Sequence, residues 1–133
     1  MIRAVADTHT VIWYLYADDR LSASARRSIE RAAASGDQIA LSAITLVEIV
    51  YLAEKGRVQP DTFAHLLRVI RGQEAVLCVV PVDETVASSL HLVVRDQVPD
   101  MPDRIIAATA LTLGVPIISR DRKIQLSNVS TIW

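Results

Sequence analysis

AVADTHTVIWYLY, residues Ala4–Tyr16, is the stretch that decides the fold. An apolar run, Ala4–Ala6, reads as a strand and passes into a helix over about Thr8–Tyr16, and Asp7 is the carboxylate at the junction. From Ala4 to Ala17 the only other side chain that titrates near neutral pH is His9. An acid between two segments that both look buried requires a partner or a ligand. In α/β sheets ligands sit at the carboxyl ends of the central strands, and a strand-to-helix junction directs a short acid into that crevice. Helix capping by Asp7 or Thr8 explains the residue equally well at this point.

Outward from this stretch, strands and helices alternate. Leu21–Ser35 reads as a helix with Ser22 as its cap and Gly36 as its stop. The short apolar strand Gln38–Ser42 passes into a helix, Ala43–Lys55, ended by Gly56. Phe63, Leu66, Leu67 and Ile70 recur at helical spacing in Thr62–Arg71, and Ala75–Val82 is a valine-rich strand. A helix follows from Asp83 or Glu84 to about Val94, then a loop with two prolines, Arg95–Pro102, and a nearly apolar helix, Asp103–Leu113, ended by Gly114. Val115–Ser119 and Val129–Ile132 are the last two strands. The alternation predicts a parallel sheet covered on both faces, a three-layer α/β domain.

At 133 residues the chain is expected to form a single domain, 1–133. Hydrophobic residues make up 51% and charged residues 22%, the balance of a globular protein and not of a disordered one. Apolar runs fall short of the ~20 residues that cross a bilayer, and MIRAVADTHT lacks a signal-peptide pattern, so a cytoplasmic protein with no membrane association is expected. The lone Cys78 makes neither an intramolecular disulfide nor a zinc knuckle and is expected to pack in a strand.

Three further acids stand where acids need a reason. Glu48 is the only charged residue in IALSAITLVEIVYLA, Ile39–Ala53, and either titrates high or is paired with a distant arginine. Asp103 stands in the first turn of DRIIAATALTLG, where the helix dipole alone would favour it. Asp121 follows the apolar strand VPIIS in the turn SRDRK, a setting in which aspartates are common. Singly each has an ordinary explanation. In a parallel sheet, however, Asp7, Glu48 and Asp121 gather on one edge, and Asp103 joins them if its first turn bends toward the crevice. Carboxylates gathered without cations repel one another and raise their pKa values, and a divalent metal relieves this. Hard oxygen donors without a His or Cys cluster select magnesium or manganese over zinc or copper, and such sites usually serve phosphate chemistry. Removing one repelling charge, as in Asp7→Asn, is then expected to raise metal-free stability.

With these residues in place the sequence resembles the PIN-domain ribonucleases, and among them the VapC-type toxins of bacterial toxin–antitoxin modules. ADTHTVIWYL (Ala6–Leu15), SAITLVEI (Ser42–Ile49), DMPDRIIAATAL (Asp100–Leu111) and IISRDRKI (Ile117–Ile124) look like the family's four motifs in order, and STIW (Ser130–Trp133) is similar to its last strand. The resemblance implies a parallel five-stranded sheet with the first strand central. It implies Mg2+-dependent hydrolysis of RNA, with Asp7, Glu48, Asp103 and Asp121 as catalytic metal-binding acids, leaving a 5′-phosphate and a 3′-hydroxyl. It also implies a small VapB-type antitoxin as partner, a homodimer, and tRNA or rRNA as substrate. Asp100 matches an accessory acid of one subgroup, and a solvated loop residue is the other reading.

Net charge is −1, which on its face disfavours a nucleic-acid partner. Setting four of the 15 acids against a metal leaves 11 facing 14 Lys and Arg, a balance of +3 that permits phosphate contacts. Arg95, Arg104, Arg120, Arg122 and Lys123 are the candidates by their nearness to the acidic motifs. With six aromatic residues in the chain, a base-stacking platform is not expected. A receiver-like phosphotransfer domain also gathers acids at strand ends, but Lys123 is badly placed for it and no acidic pair follows the first strand. The other rival is a PIN fold kept as a non-catalytic RNA- or protein-binding module, which loss of an acid would favour.

Overall fold

The computed structural model describes residues 1–133. Five strands, β1 (Ile2–Ala6), β2 (Gln38–Ser42), β3 (Leu77–Val80), β4 (Ile117–Ile118) and β5 (Thr131–Ile132), pair in the order β3-β2-β1-β4-β5, all parallel. β1 is central, as the resemblance implied. Side chains alternate between the faces of a strand, so each sheet face has its own core. Ala4, Ala6, Ile39, Leu41 and Ile118 face one side, where they meet helices α1 (Thr8–Leu15), α2 (Ala23–Ala34), α3 (Ala43–Glu54) and α4 (Thr62–Arg71). Val5, Ala40 and Ile117 face the other, against α5 (Glu84–Ser89), α6 (Met101–Leu113) and α7 (Arg122–Gln125). Both faces are covered, which is why the central strands read as continuous apolar runs instead of alternating ones. No helix is long and apolar enough to cross a membrane.

Local signals set most boundaries. Ser22 and Ser42 cap α2 and α3 through their hydroxyls, and Gly114 closes α6 in the left-handed region, φ 68°, where a side chain would be strained. Three expectations need correction. The helix expected to run to about Val94 ends at Ser89 and gives way to a 3-10 turn, Leu90–Leu92. Arg104 braces the break: its guanidinium donates to the carbonyls of Leu90, which also accepts from the Val93 amide, and of Val93 beyond the turn. The helix expected from Asp103 starts at Met101 with Asp100 as its cap. Finally, SRDRK is not a plain turn, since Asp121 caps the four-residue helix α7.

Candidate active site

Parallel pairing brings the ends of β1 and β4 together, and with them Asp7 and Ser119. Asp7 is 7% exposed, and both its oxygens are used. Oδ1 accepts from the Thr10 amide at 2.9 Å, the capping bond, and Oδ2 accepts a short hydrogen bond from the Ser119 hydroxyl. The capping role read from the sequence is realised by one oxygen, while the other is held from the start of the loop after β4. Ser119 Oγ in turn accepts from the Asp121 amide at 3.0 Å, so one buried hydroxyl ties the first motif to the last.

Glu48 sits in the second turn of α3, half-buried over the same edge. The Thr8 hydroxyl donates to its Oε1 and lies 3.0 Å from the Thr45 hydroxyl. Burial raises the Glu48 pKa, the bond from Thr8 offsets part of this, and the charges of Asp100 and Asp7 push it up while His9 pulls it down. No arginine partner holds it, so the distant-ion-pair reading fails.

Asp103 does turn toward the crevice. Its carboxyl is pushed up to about 7, first by burial and then by Asp100, Asp121, Glu48 and Asp7 in that order. Asp7, Glu48, Asp121 and Asp100 are thus all near enough to Asp103 for their charges to act on it. Asp100 is exposed, yet it is more than a solvated loop residue: its Oδ2 accepts from the Asp103 amide at 3.1 Å as the cap of α6. Asp121 Oδ1 accepts from the amides of Lys123 and Ile124.

No cation is among the neighbours that shift Asp103, and every donor is a hard oxygen. That donor set fits a hard divalent ion. Its spacing is open: no three of these side chains are drawn together as closely as a closed coordination shell requires.

Thr8, Thr45 and Ser119 were not foreseen as site residues. The signal available in sequence was the hydroxyl residue directly beside Asp7 and the one two positions before Asp121. His9 packs tilted on Trp13 at 5.7 Å and is near enough to Glu48 to lower the glutamate's pKa, whereas His65 packs edge-on against Tyr16 and His91 is exposed.

The basic candidates divide. Arg95, Arg122 and Lys123 are exposed. Arg104 is half-buried, and because its donors are committed to Leu90 and Val93 its expected phosphate contact is corrected to a structural one. Arg120 lies over the Trp13 ring, 5.8 Å from the centroid.

Comparison with known proteins agrees with this fold. The family model described as PIN domain matches residues 4–130. Ribonuclease VapC22 from Mycobacterium tuberculosis (strain ATCC 25618 / H37Rv) is 28% identical over 125 residues, covering 94% of this chain and 92% of that protein. Among solved structures, VapBC2 from Rickettsia felis bound to a DNA fragment from their promoter contains a chain with TM-score 0.71 and 16% identity, over 98% of this chain and 97% of that one. A toxin-antitoxin complex from Klebsiella pneumoniae gives TM-score 0.62 and 24% identity over 98% and 96%. At these identities the structural likeness speaks for the fold.

Proposed function

The chain belongs to the PIN-domain family, and from that premise we propose that it is a metal-dependent endoribonuclease of the VapC type, the toxin of a toxin–antitoxin pair acting in the cytoplasm. The observation that carries the reading is Asp103, a half-buried carboxyl pushed to about 7 by burial and by the acids around it. A polypeptide maintains such mutual repulsion at a site where a cation is to be held.

Asp7, Glu48 and Asp103 would hold a principal magnesium, for which manganese can substitute, and Asp121 would complete the site or hold a second ion. Bound there, the ion supplies the positive charge that neutralises a phosphodiester and lowers the pKa of an attacking water. The chain's own residues prepare this. Thr10 and Ser119 fix both oxygens of Asp7, and Thr8 orients Glu48, the kind of outer support that keeps ligating carboxylates in place. Asp103, its carboxyl raised to about 7 by burial and the neighbouring acids, would give up a bound proton where an ion is held. Arg95, Arg122 and Lys123 are free on the surface for the RNA backbone.

The relative named ribonuclease VapC22 supports RNA as substrate; tRNA or rRNA as its class, a small VapB-type antitoxin and a homodimer follow by family pattern. The open spacing of the acids favours a second reading, a PIN fold retained as an RNA- or protein-binding module. Incubation with total RNA, followed by sequencing of new ends, separates the two. Discrete cuts with Mg2+ or Mn2+, absent with chelator and in Asp7→Asn, are expected. A preparation free of antitoxin that makes no cuts with either metal would leave the binding module.

A further inference from the structure

Beside the acids lies a cluster that the reaction as described does not use. Trp13 is 7% exposed, and its neighbours hold the indole on several sides: Trp133 at 5.8 Å, His9 at 5.7 Å, and the guanidinium groups of Arg20 at 5.2 Å and Arg120 at 5.8 Å. Significant cation–π contacts occur about once in 70–80 residues, so two on one ring is a concentration of positive charge that needs a counterpart. The two arginines differ. Arg20 is committed to Asp18, with Nε at 3.0 Å from Oδ1 and Nη2 at 2.7 Å from Oδ2. Arg120 is exposed, has no carboxylate within ion-pair distance and donates no side-chain hydrogen bond to the protein. Its donors are all available, and the indole restrains where they point.

The backbone of Arg120 is as closely tied to the site as any residue can be. It follows Ser119, which donates to Asp7, and precedes Asp121, whose amide donates back to Ser119. An anion gripped by this guanidinium therefore stands at a set position relative to the acids. A guanidinium laid on an indole keeps its N–H edge free, and that edge matches the paired oxygens of a phosphodiester. A nucleobase has no equivalent seat, because Trp13 is already covered.

We propose that Arg120, held on Trp13, grips the RNA phosphate next to the one being cut and so positions the strand over the carboxylates. This rests on the ribonuclease reading, but binding without cleavage tests it separately. Both tryptophans of the chain lie in the cluster, so intrinsic fluorescence reports occupancy directly.

The experiment titrates bulk tRNA into wild type, Arg120→Ala, Arg120→Lys and Arg122→Ala in chelator across a salt series, then measures cleavage with Mg2+. For Arg120→Ala the expectation is a salt slope lower by about one and a KM raised about tenfold with kcat nearly unchanged, because a phosphate contact contributes uniform binding. Its tryptophan emission should no longer respond to tRNA. Arg120→Lys should recover the slope but only part of the KM, since it keeps the charge and loses the fork. Arg122→Ala should keep the emission response. If wild type cuts RNA while Arg120→Ala shows the same KM, slope and emission response, the inference falls and the nuclease stands. If wild type cuts nothing but binds tRNA through Arg120, the nuclease reading falls and the grip stands. Polyglutamate bound as tightly as tRNA, with the same dependence on Arg120, would identify an acidic protein segment as the occupant and overturn the proposal.

Discussion

Replacing Asp103 by asparagine should stabilise the metal-free protein at pH 8 and change little near pH 4. The carboxyl is raised from 3.8 to about 7, so the folded state holds its proton more tightly than the unfolded chain does. The stability this contributes is fully present below about pH 4 and is lost as pH rises through about 7. Taken at full weight, about three pH units correspond to ~4 kcal/mol. Asp103 is only half-buried, and solvent screening reduces the figure to about 1–2 kcal/mol. The substitution also forfeits a favourable charge in the first turn of α6, worth about 0.5 kcal/mol, which reduces the gain without reversing it. At this chain length the net corresponds to a Tm higher by roughly 2–6 °C at pH 8. Thermal melts of both proteins in chelator at pH 4 and pH 8 measure it. A variant less stable than wild type at pH 8, or a difference that is the same at both pH values, would refute the clustered-acid reasoning. Asp103 is a better site for this test than Asp7, the position sequence alone pointed to. Both Asp7 oxygens accept hydrogen bonds, and an asparagine there keeps only one acceptor.

Adding Mg2+ at pH 7 should release protons, chiefly from Asp103 and Glu48, whose carboxyls are raised; titration calorimetry in two buffers of different ionisation enthalpy detects this, and identical heats would count against it. Ser119→Ala removes the donor to buried Asp7 and the acceptor for the Asp121 amide, so urea unfolding should show a loss of about 1–3 kcal/mol. RNA cleavage by the same variant should fall about 10–100-fold through displaced ligands, and unchanged activity would remove Ser119 from the site. Arg104→Ala should lower stability by about 1–2 kcal/mol by leaving the Val93 carbonyl without its guanidinium donor and the Leu90 carbonyl with the Val93 amide alone. Unlike Arg120→Ala, it should leave the salt dependence of RNA binding as it was.

The acids were legible in the sequence because each breaks a pattern: Glu48 is the lone charge between Ile39 and Ala53, and Asp7 the lone carboxylate between a strand and a helix. Alternation of strands and helices likewise carried the layer structure, since periodicity and capping residues are local properties. What stayed hidden depends on partners distant in the chain. Arg104 next to Asp103 looks like a phosphate contact until the carbonyls of Leu90 and Val93 are seen to take its donors. The same contacts brace the early end of α5, and nothing within ETVASSLHLVV itself ends the helix there. α7 has a single buried apolar residue, Ile124, too few to show a period. Arg120 and Trp13 carry no signal for each other, because their meeting depends on β4 lying beside β1.

That adjacency has a consequence for the order of events during folding. The hydroxyl that fixes Asp7 lies 112 positions later in the chain, and β1 gains its second neighbour only when Ile117 and Ile118 have been added. A strand pairing of such long sequence separation forms late in folding. Any stretch of the chain that stops short of Ile118 therefore carries Asp7, Glu48 and Asp103 without the strand and the hydroxyl that fix the first of them.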